Sequence, residues 1–527
     1  MLLLNPFIQR FLFALIGVVT SVALLPMGLF APQSETTQLI RAFNAGAWHN
    51  PGSRQHNPYF LPGDTQFSFE AGEHWSMGFG YRNLTACPDI RAGIEAGEFY
   101  VAGFSQIPSE SVMDDMYVRA FYLNDNTGRG GILYAVVDCI GLTDTDVRQI
   151  RSLVWGWAQG MRGVHIAATH THSAIDTIGL WSVDFPHSVI HMGFRQHVIE
   201  LTAQALREAY DNKQDGRLFV ADTVLEDMIA DTRYPYVFDE KLTRFRFEAF
   251  DGTEVYLIST GIHPEMMGTR NQQISADFPA YAIAYIYEQT GAAAMFIQGA
   301  IGSLITVPGL REIIAEHDRG NINYGPSKVP EFGRQFGRFA LGEVGNLSDE
   351  TELAAVLNIA NRQIELPVEN LSLNISVRLG MLNHGVYARR GRWFITDEIS
   401  YLRLGCLVES VDILIVSGEL APEIAFGGFL GRDQAANRRE YPRPALFEAL
   451  NAFDFASRRQ IVFGMANNFT GYVIPDNDFY LNRWLPYFDQ GTSRHGRRHY
   501  EETVSPGRQT ARVISEGFDA IFVEVCP

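Results

Sequence analysis

Cysteine is scarce in this sequence of 527 residues, which has four: Cys87, Cys139, Cys406 and Cys526. None belongs to a Cys-x-x-Cys pair, so a zinc-finger or thioredoxin-like site is disfavoured. The chain has no long basic run and carries a formal net charge of −18. Such a charge repels phosphate backbones and argues against nucleic acid as a partner. The sequence also lacks a Gly-x-Ser-x-Gly elbow and a Walker loop, which disfavours serine-elbow hydrolases and P-loop nucleotidases.

One long apolar run stands out in a composition that is otherwise typical of a folded protein, with 46% hydrophobic and 19% charged residues. Residues 11–30 are uncharged and follow Arg10. Their length suits a bilayer span or a signal sequence, so residues 1–31 are predicted to be a signal peptide or a membrane anchor. Either outcome makes the protein secreted, extracytoplasmic or membrane-anchored. Residues 32–65 are predicted to be a linker, and residues 66–527 a single catalytic domain.

Strand and helix patterns alternate after residue 66, and they predict an α/β fold of mixed β-sheets flanked by helices. The apolar strand at 131–138 precedes a helix at 144–161 that begins behind Thr143, a suitable cap. A second strand at 163–168 then ends at a pair of histidines. Further predicted elements are a helix at 192–212, two strands within 241–262 joined at Asp251-Gly252, a helix at 278–289, a strand at 293–298, and mainly strands at 364–417.

The segment Thr169-His170-Thr171-His172-Ser173 carries the strongest chemical signal. Residues i and i+2 of a strand project to the same side, so these two imidazoles can converge on one ion. Imidazole is the commonest zinc ligand. A pair of hydrogen-bonded histidines at a strand end is the alternative that the segment alone leaves open.

Three further polar residues follow predicted strands: His263, ahead of Pro264; Glu419, behind Gly418; and Tyr472, within Gly471-Tyr472-Val473. Taken separately, each has an ordinary structural explanation. Loops that follow strands are nevertheless where α/β enzymes place their chemistry.

The order of these segments resembles the neutral, non-lysosomal ceramidase family over roughly residues 90–525. The matching pieces are the Thr-His-Thr-His-Ser motif, His263-Pro264 followed by residues 274–277, the Ser-Gly-Glu turn at Glu419, and Gly471-Tyr472-Val473. The resemblance implies a zinc amidohydrolase with one zinc per chain. The ligands that it implies are His170, His263, Glu419 and Tyr472.

The same resemblance implies three residues that act on the scissile amide and its oxyanion. These are His172, Arg233 and Tyr487. In this scheme zinc polarises the carbonyl or activates water, the histidine moves a proton, and the arginine and tyrosine donate to the developing negative charge.

The chain departs from the family pattern where the family has a serine proposed as the nucleophile. The matching position is Ile305, and Ser303 and Thr306 are nearby substitutes. Ser303 lies two residues away, and that displacement favours direct attack by water over a serine nucleophile. The chain also ends where the family's catalytic domain ends, so we expect no C-terminal immunoglobulin-like domain.

Three functions are consistent with these residues. The first is zinc-dependent hydrolysis of an N-acyl lipid, ceramide-like, to a fatty acid and an amine base. The second is zinc-dependent hydrolysis of another amide or ester by water. The third is an inactive, membrane-tethered lipid-binding homologue. The expected partners are a lipid or small amide substrate and a membrane contacted through the N-terminal segment. The sequence indicates no obligate protein partner.

Overall fold

The computed structural model describes residues 57–525, apart from residues 105, 185–186, 189, 238, 307–324, 408 and 455. The N-terminal segment at 1–31 and most of the predicted linker lie outside the described residues, so export or anchoring stays a prediction. Among the helices of the described part, none combines the length and apolar character needed to cross a bilayer.

The strands of the described residues come first. In chain order they are β1 (Trp75–Asn83), β2 (Tyr100–Val101), β3 (Ile107–Pro108), β4 (Ser111–Val112), β5 (Tyr117–Asn124), β6 (Ile132–Val137), β7 (Gly163–Ala168), β8 (Val183–Asp184), β9 (His187–Ser188), β10 (Gln214–Val224), β11 (Ile229–Asp231), β12 (Lys241–Ala249) and β13 (Glu254–Thr260). They continue with β14 (Gln273–Ile274), β15 (Ala293–Gln298), β16 (Leu304–Thr306), β17 (Thr351–Leu353), β18 (Leu357–Pro367), β19 (Val386–Arg389), β20 (Arg392–Cys406), β21 (Glu409–Ile415), β22 (Glu419–Leu420), β23 (Arg459–Phe463), β24 (Tyr472–Val473), β25 (Gly491–Thr492) and β26 (Arg498–His499).

The α-helices of the same residues are α1 (Pro88–Glu95), α2 (Asp144–Ala158), α3 (Met192–Asp211), α4 (Phe278–Thr290), α5 (Val329–Leu341), α6 (Leu371–Arg378), α7 (Pro422–Phe426), α8 (Leu446–Leu450) and α9 (Thr510–Val525).

Two mixed sheets organise the fold. The larger has nine strands in the order β15-β13-β12-β10-β1-β5-β6-β7, with β17 paired to β10. Its neighbours are antiparallel except at the two ends, where β13 pairs with β15 and β6 with β7 in parallel. The smaller sheet has the order β18-β20-β21-β23, with β19 paired to β20, and its β21–β23 pair is parallel.

One face of each sheet packs against the other, and helices cover the two outer faces. Alternate strand residues such as Phe245, Leu257 and Ile413 form the apolar layer between the sheets. Helices α2 and α3 pack outside β5 and β6, and α4 and α5 pack outside β13 and β15. Helix α9 covers the smaller sheet, where Phe518 meets the outer face. The result is a four-layer α/β/β/α arrangement, which confirms the predicted class of mixed sheets flanked by helices.

Several predicted elements occur as expected because their signals are local. Helix α2 begins at Asp144 with Thr143 as its cap, and Thr143 and Asp146 form a capping box. The two strands joined at Asp251-Gly252 are β12 and β13. The 364–417 region is mainly strand, as predicted, and it also contains α6, which the prediction did not include. Asn370 caps that helix by accepting a hydrogen bond from the amide of Leu373 at 3.0 Å.

The last part of the predicted linker belongs to the folded unit. The Asp64 amide donates to the Ile359 carbonyl at 2.6 Å, and Asn361 donates to the Leu61 carbonyl at 2.8 Å. These bonds attach residues 61–64 to β18.

The carboxyl ends of parallel strands from both sheets meet at one end of the molecule. The Gly464 amide, after β23, donates to the carbonyl of Gln298, the last residue of β15, at 2.8 Å. The Ala168 amide, the last of β7, donates to the Met465 carbonyl at 3.2 Å. The loops that follow these strands therefore converge, as is usual for functional sites in α/β proteins.

Candidate metal centre

His170 and His172 lie just after β7, where the chain leaves the larger sheet. His170 has a φ of 64°, the left-handed region that non-glycine residues seldom adopt. Its Nδ1 lies 2.7 Å from the carbonyl oxygen of Ile140. The backbone amide of His172 donates to the carbonyl of Pro264 at 2.9 Å, so the motif contacts the segment that carries His263.

His263 is held by a single backbone carbonyl. Its amide donates to the Leu304 oxygen at 3.1 Å, and its Nδ1 lies 2.5 Å from the same oxygen. A carbonyl accepts hydrogen bonds only, so Nδ1 carries the proton in His263, as it does in His170. The unprotonated Nε2 of each ring is then the atom available to a metal, which is the usual arrangement of metal-ligating histidines.

The free ring nitrogens converge with a carboxylate. Ligand atoms of His170, His172 and His263 all lie within 4.8 Å of one another. The Nε2 atoms of His170 and His172 are 3.3 Å apart. An oxygen of Glu419 lies 3.2 Å from Nε2 of His263 and 3.6 Å from Nε2 of His170. Three imidazoles and one carboxylate thus face a common point.

Tyr472 joins this group through a short parallel strand pair. In the β22–β24 pair, Glu419 is directly opposite Tyr472, and residues so paired project to the same face. The pKa of Tyr472 is raised well above its usual range by burial and then by the Glu419 carboxylate. The pairing of these two short strands therefore brings together two residues that are far apart in sequence.

The electrostatics of the cluster suit a cation. Burial alone would raise the pKa of Glu419, but the His170 and His263 rings hold it well below its usual range. Burial and the neighbouring His170 and His263 rings lower the pKa of His172 well below its usual range, so its imidazole is neutral. An ionised carboxylate is the form in which Glu419 could bind a divalent metal.

Gln298, which the sequence reasoning missed, connects the two histidine-bearing loops. Its buried side-chain amide donates to the carbonyls of Thr169 and Ile262, each at 2.9 Å. Its side-chain oxygen accepts the amide of Ile262 at 3.1 Å. A polar residue ending the apolar strand β15 was the available signal, since a buried polar group needs partners.

The donor set fits a resident divalent metal. Two rings have their Nδ1 atoms committed to carbonyls, and a carboxylate and a phenol lie beside them, which is an N/O set typical of zinc sites. His172 differs, because its buried Nδ1 has no hydrogen-bond partner among the described residues. The geometry therefore separates two imidazoles whose Nδ1 atoms are anchored by carbonyls from one whose Nδ1 has no such anchor.

Comparison with solved structures relates this chain to two ceramidases. It matches the crystal structure of a neutral ceramidase from Pseudomonas aeruginosa with a TM-score of 0.61 and 16% identity, over 87% of this chain and 76% of that one. It matches a ceramidase complexed with C2 with a TM-score of 0.60 and 15% identity, over 86% of this chain and 76% of that one. The chain has the neutral-ceramidase fold. Neither a protein-family model nor a curated protein matches the sequence.

Within the neutral-ceramidase fold, Arg233 lies in an ionic cluster of its own. Its guanidinium contacts Glu501 at 2.9 Å, Glu502 at 3.0 Å and Asp478 at 3.3 Å, and a ring nitrogen of His499 at 3.3 Å. Burial opposes its charge, but these carboxylates raise its pKa above the usual range. The donors that the oxyanion role requires are engaged in this structure, and that role stays a prediction.

Tyr487 packs in the same small apolar cluster as Tyr472, with Phe479 beside it. Burial raises the pKa of Tyr487 above its usual range, and the next contribution comes from Glu369. Its hydroxyl therefore faces Glu369, and its role toward a substrate stays a prediction. The tyrosine whose hydroxyl meets that of Tyr472, at 3.1 Å, is Tyr500, which the sequence reasoning missed.

Ser303 lies in the turn that borders the cluster in the neutral-ceramidase fold. Its neighbour Gly302 donates its amide to the Leu420 carbonyl at 2.8 Å, and its other neighbour, Leu304, provides the oxygen that holds His263. The Ser303 hydroxyl is buried without a hydrogen-bond partner among the described residues, and its φ is 81°. Ile305 lies in β16, opposite Ala230 of β11.

Proposed function

We propose that this protein is a zinc-dependent hydrolase that cleaves the amide bond of an N-acyl lipid, ceramide-like, to a fatty acid and an amine base. The observation that carries the proposal is that the three histidines differ in the hydrogen bonding of their Nδ1 atoms. His170 and His263 have Nδ1 fixed by carbonyl oxygens, as metal ligands do, whereas the Nδ1 atom of His172 is free. The shared neutral-ceramidase fold supports the choice of substrate class.

His170, His263, Glu419 and Tyr472 are the residues that would hold the metal. When bound, zinc at this point would polarise the scissile carbonyl and lower the pKa of water. The protein's own contribution is rigidity. The Leu304 and Ile140 carbonyls orient the two rings, and Gln298 fixes the distance between the loops that carry them.

His172 is suited to move the proton between the nucleophile and the leaving amine. Its lowered pKa keeps the ring neutral and able to accept a proton. Its Nε2 faces the cluster, 3.3 Å from Nε2 of His170, and no partner fixes its Nδ1. Because Nδ1 of His172 is not committed to a carbonyl, no hydrogen bond at that atom opposes a proton moving onto or off the ring.

Water is the nucleophile in this proposal, and Ser303 is the competing candidate. A buried hydroxyl without a partner, next to the residue that anchors His263, supports the competitor. The absence of a basic partner at hydrogen-bond distance from that hydroxyl, among the described residues, supports water, because a serine nucleophile needs an adjacent base.

Exposed aromatic rings beside the cluster suit an apolar acyl chain. Phe104 is 37% exposed, and its ring lies 4.9 Å from that of His172. Tyr500 is 44% exposed, and its hydroxyl contacts Tyr472. Large apolar surface next to a polar reaction centre is the usual composition of a site for an amphipathic ligand.

The test is an assay of purified full-length protein against N-acyl lipids and simple amides, with metal analysis of the same samples. We expect about one zinc per chain and chelator-sensitive release of fatty acid from N-acyl lipids. Zinc-dependent hydrolysis restricted to simple amides or esters would instead favour the second hypothesis. Bound zinc with no turnover on any substrate would favour an inactive homologue.

We also propose export or membrane anchoring through residues 11–30, on the strength of their uncharged apolar sequence. Fractionation of the native source would test it. Recovery of the full-length chain from the soluble cytosolic fraction would contradict it.

A further inference from the structure

Residues 480–500, which follow Tyr472 and end at Tyr500, form a small meander. Leu481 bridges to Gln490, and Gly491 pairs with His499. Three short extended pieces therefore lie side by side, and the turns between them are exposed. We refer to six exposed residues on and beside this meander as the arginine–aromatic surface: Tyr236, Arg483, Trp484, Arg494, Arg498 and Tyr500.

The charge of this segment has the opposite sign to that of the chain. Residues 480–500 contain four arginines and no acidic residue other than Asp489, whereas the whole chain has a formal net charge of −18. Asp489 accepts from Asn482 at 3.2 Å. In the described part of the protein neither Arg483 nor Arg498 pairs with a carboxylate. Arg497 lies 3.8 Å from the Asp478 carboxylate, and Arg494 donates to the Ala435 carbonyl at 3.3 Å. The charges of Arg483 and Arg498 therefore face solvent without a carboxylate partner.

Aromatic rings accompany these charges. Trp484 is 83% exposed, with the Arg483 guanidinium 5.5 Å from its ring centre. Tyr236 is 65% exposed, and the centre of its ring lies 5.6 Å from the centre of the Tyr234 ring. The guanidinium carbon of Arg497 lies 4.9 Å from the centre of the Tyr234 ring. One exposed ring is common, but several exposed rings accompanied by arginines on neighbouring loops are typical of a contact surface.

The surface adjoins the candidate metal centre through Tyr500. The outer part of that residue is solvent-exposed, and its hydroxyl is 3.1 Å from the hydroxyl of Tyr472. A body resting on the arginine–aromatic surface would therefore lie next to the site.

We propose that the arginine–aromatic surface docks the enzyme on an anionic lipid bilayer. Tryptophan and tyrosine rings partition to the headgroup level of a bilayer, and each arginine near an anionic surface adds roughly a fivefold preference. The acidic remainder of the protein is repelled by the same surface, so this face alone turns toward the lipid. The inference rests on the proposed function, because a lipid substrate is what gives the site a reason to face a bilayer.

Hydrogen exchange of the full-length chain tests the docking without using turnover. The protein is mixed with vesicles of phosphatidylcholine alone, or of phosphatidylcholine with phosphatidylglycerol. Any contribution of residues 11–30 is common to both arms. We expect slower exchange over residues 480–500 that requires phosphatidylglycerol and is reversed by added salt. The proposal would be overturned if residues 480–500 showed no slowing of exchange, or the same slowing with both kinds of vesicle. It would also be overturned if exchange slowed equally without vesicles, because self-association of the protein would then explain the effect.

A matched pair of triple variants sharpens the test. Arg483→Gln/Trp484→Ala/Arg498→Gln removes two arginines and one ring from the surface. The control, Arg390→Gln/Arg392→Gln/Tyr287→Ala, removes two exposed arginines and one ring that is 64% exposed elsewhere. We expect the first triple variant to lower partitioning onto phosphatidylglycerol vesicles by about 25-fold or more, and the control to leave it unchanged. Equal losses in both would overturn the proposal.

Metal content and hydrolysis of a dissolved short-chain amide separate the two hypotheses. We expect the surface variant to retain both and to lose hydrolysis of vesicle-embedded N-acyl lipid. If the unmodified protein hydrolyses no N-acyl lipid but shows the phosphatidylglycerol-dependent protection, the proposed function fails and the docking stands. If it hydrolyses lipid without that protection, the docking fails and the function stands.

Discussion

Two buried ionic clusters lie at the same end of the molecule, and they are built in opposite ways. In the first, the Glu419 carboxylate faces the His170 and His263 rings, and among the described residues it has no lysine or arginine partner. In the second, the Arg233 guanidinium meets the carboxylates of Asp478, Glu501 and Glu502, so the positive charge is the protein's own. The first arrangement is that of a cation-binding site, and the second is that of a structural ion cluster.

The difference shows how to interpret a buried charge. Both clusters are removed from water, so each must satisfy its polar atoms locally. Ring nitrogens that converge with their N–H groups directed away, as in His170 and His263, form the arrangement of a metal-binding site. A guanidinium that contacts three carboxylates already has its charge partners within the protein. Resemblance to a family does not make this distinction, because it assigns a chemical role to both.

The comparison is tested most strongly by removing the two anchored rings together. His170→Ala/His263→Ala should abolish metal binding and with it hydrolysis, because both fixed imidazole ligands are gone. Metal analysis of the purified variant measures this, with the exposed His495→Ala as the matched control. Stoichiometric zinc in the double variant would falsify the site.

His172→Ala should keep the metal and slow hydrolysis by roughly 10²–10⁴-fold, the usual contribution of a positioned acid or base. The reason is its free Nδ1, which distinguishes it from the two anchored rings. Parallel measurement of turnover and zinc content separates the roles. Zinc loss as complete as in the His263→Ala single variant would make His172 a ligand.

Arg233→Met should lower the free energy of unfolding by about 3–5 kcal/mol, because three buried carboxylates lose their cation. Urea unfolding measures the loss, and Arg483→Met, at an exposed arginine, is the control. A variant of normal stability that binds zinc and lacks turnover would instead support the oxyanion role that the family resemblance implies.

Gln298→Leu should weaken metal binding by roughly 10–100-fold while the chain still folds, because the two histidine loops lose the amide that joins them. Zinc titration of the metal-free protein measures the change, and Gln434→Leu on an exposed loop is the control. Unchanged affinity would show that the loops hold their positions without this residue.

Ser303→Ala should have the smallest effect. If water attacks directly, turnover changes little, and stability changes little because the hydroxyl has no hydrogen bond to lose. If Ser303 is the nucleophile, turnover should fall by several orders of magnitude. Zinc content and unfolding of the variant are measured alongside. Abolished turnover with both unchanged would overturn the preference for water.

Sequence alone determined the elements whose causes are local. The capping pattern at Thr143 specified the start of α2, Asp251-Gly252 specified the turn between β12 and β13, and the apolar run of β7 placed a pair of histidines at a strand end. Helix α6 was not predicted, because its apolar pattern also suits a strand and its helical start depends on a single capping residue, Asn370. Such signals act within a few residues and require no knowledge of the rest of the chain.

Only the tertiary structure decided which of the chosen residues share a site. It brought His170, His263 and Glu419 together, directed the Arg233 donors to carboxylates, and placed Tyr500 rather than Tyr487 against the hydroxyl of Tyr472. These outcomes depend on the pairing of strands far apart in sequence, such as β22 with β24, and on how two sheets pack. Contacts of that kind are set by the fit of whole layers, so no local pattern of residues encodes them.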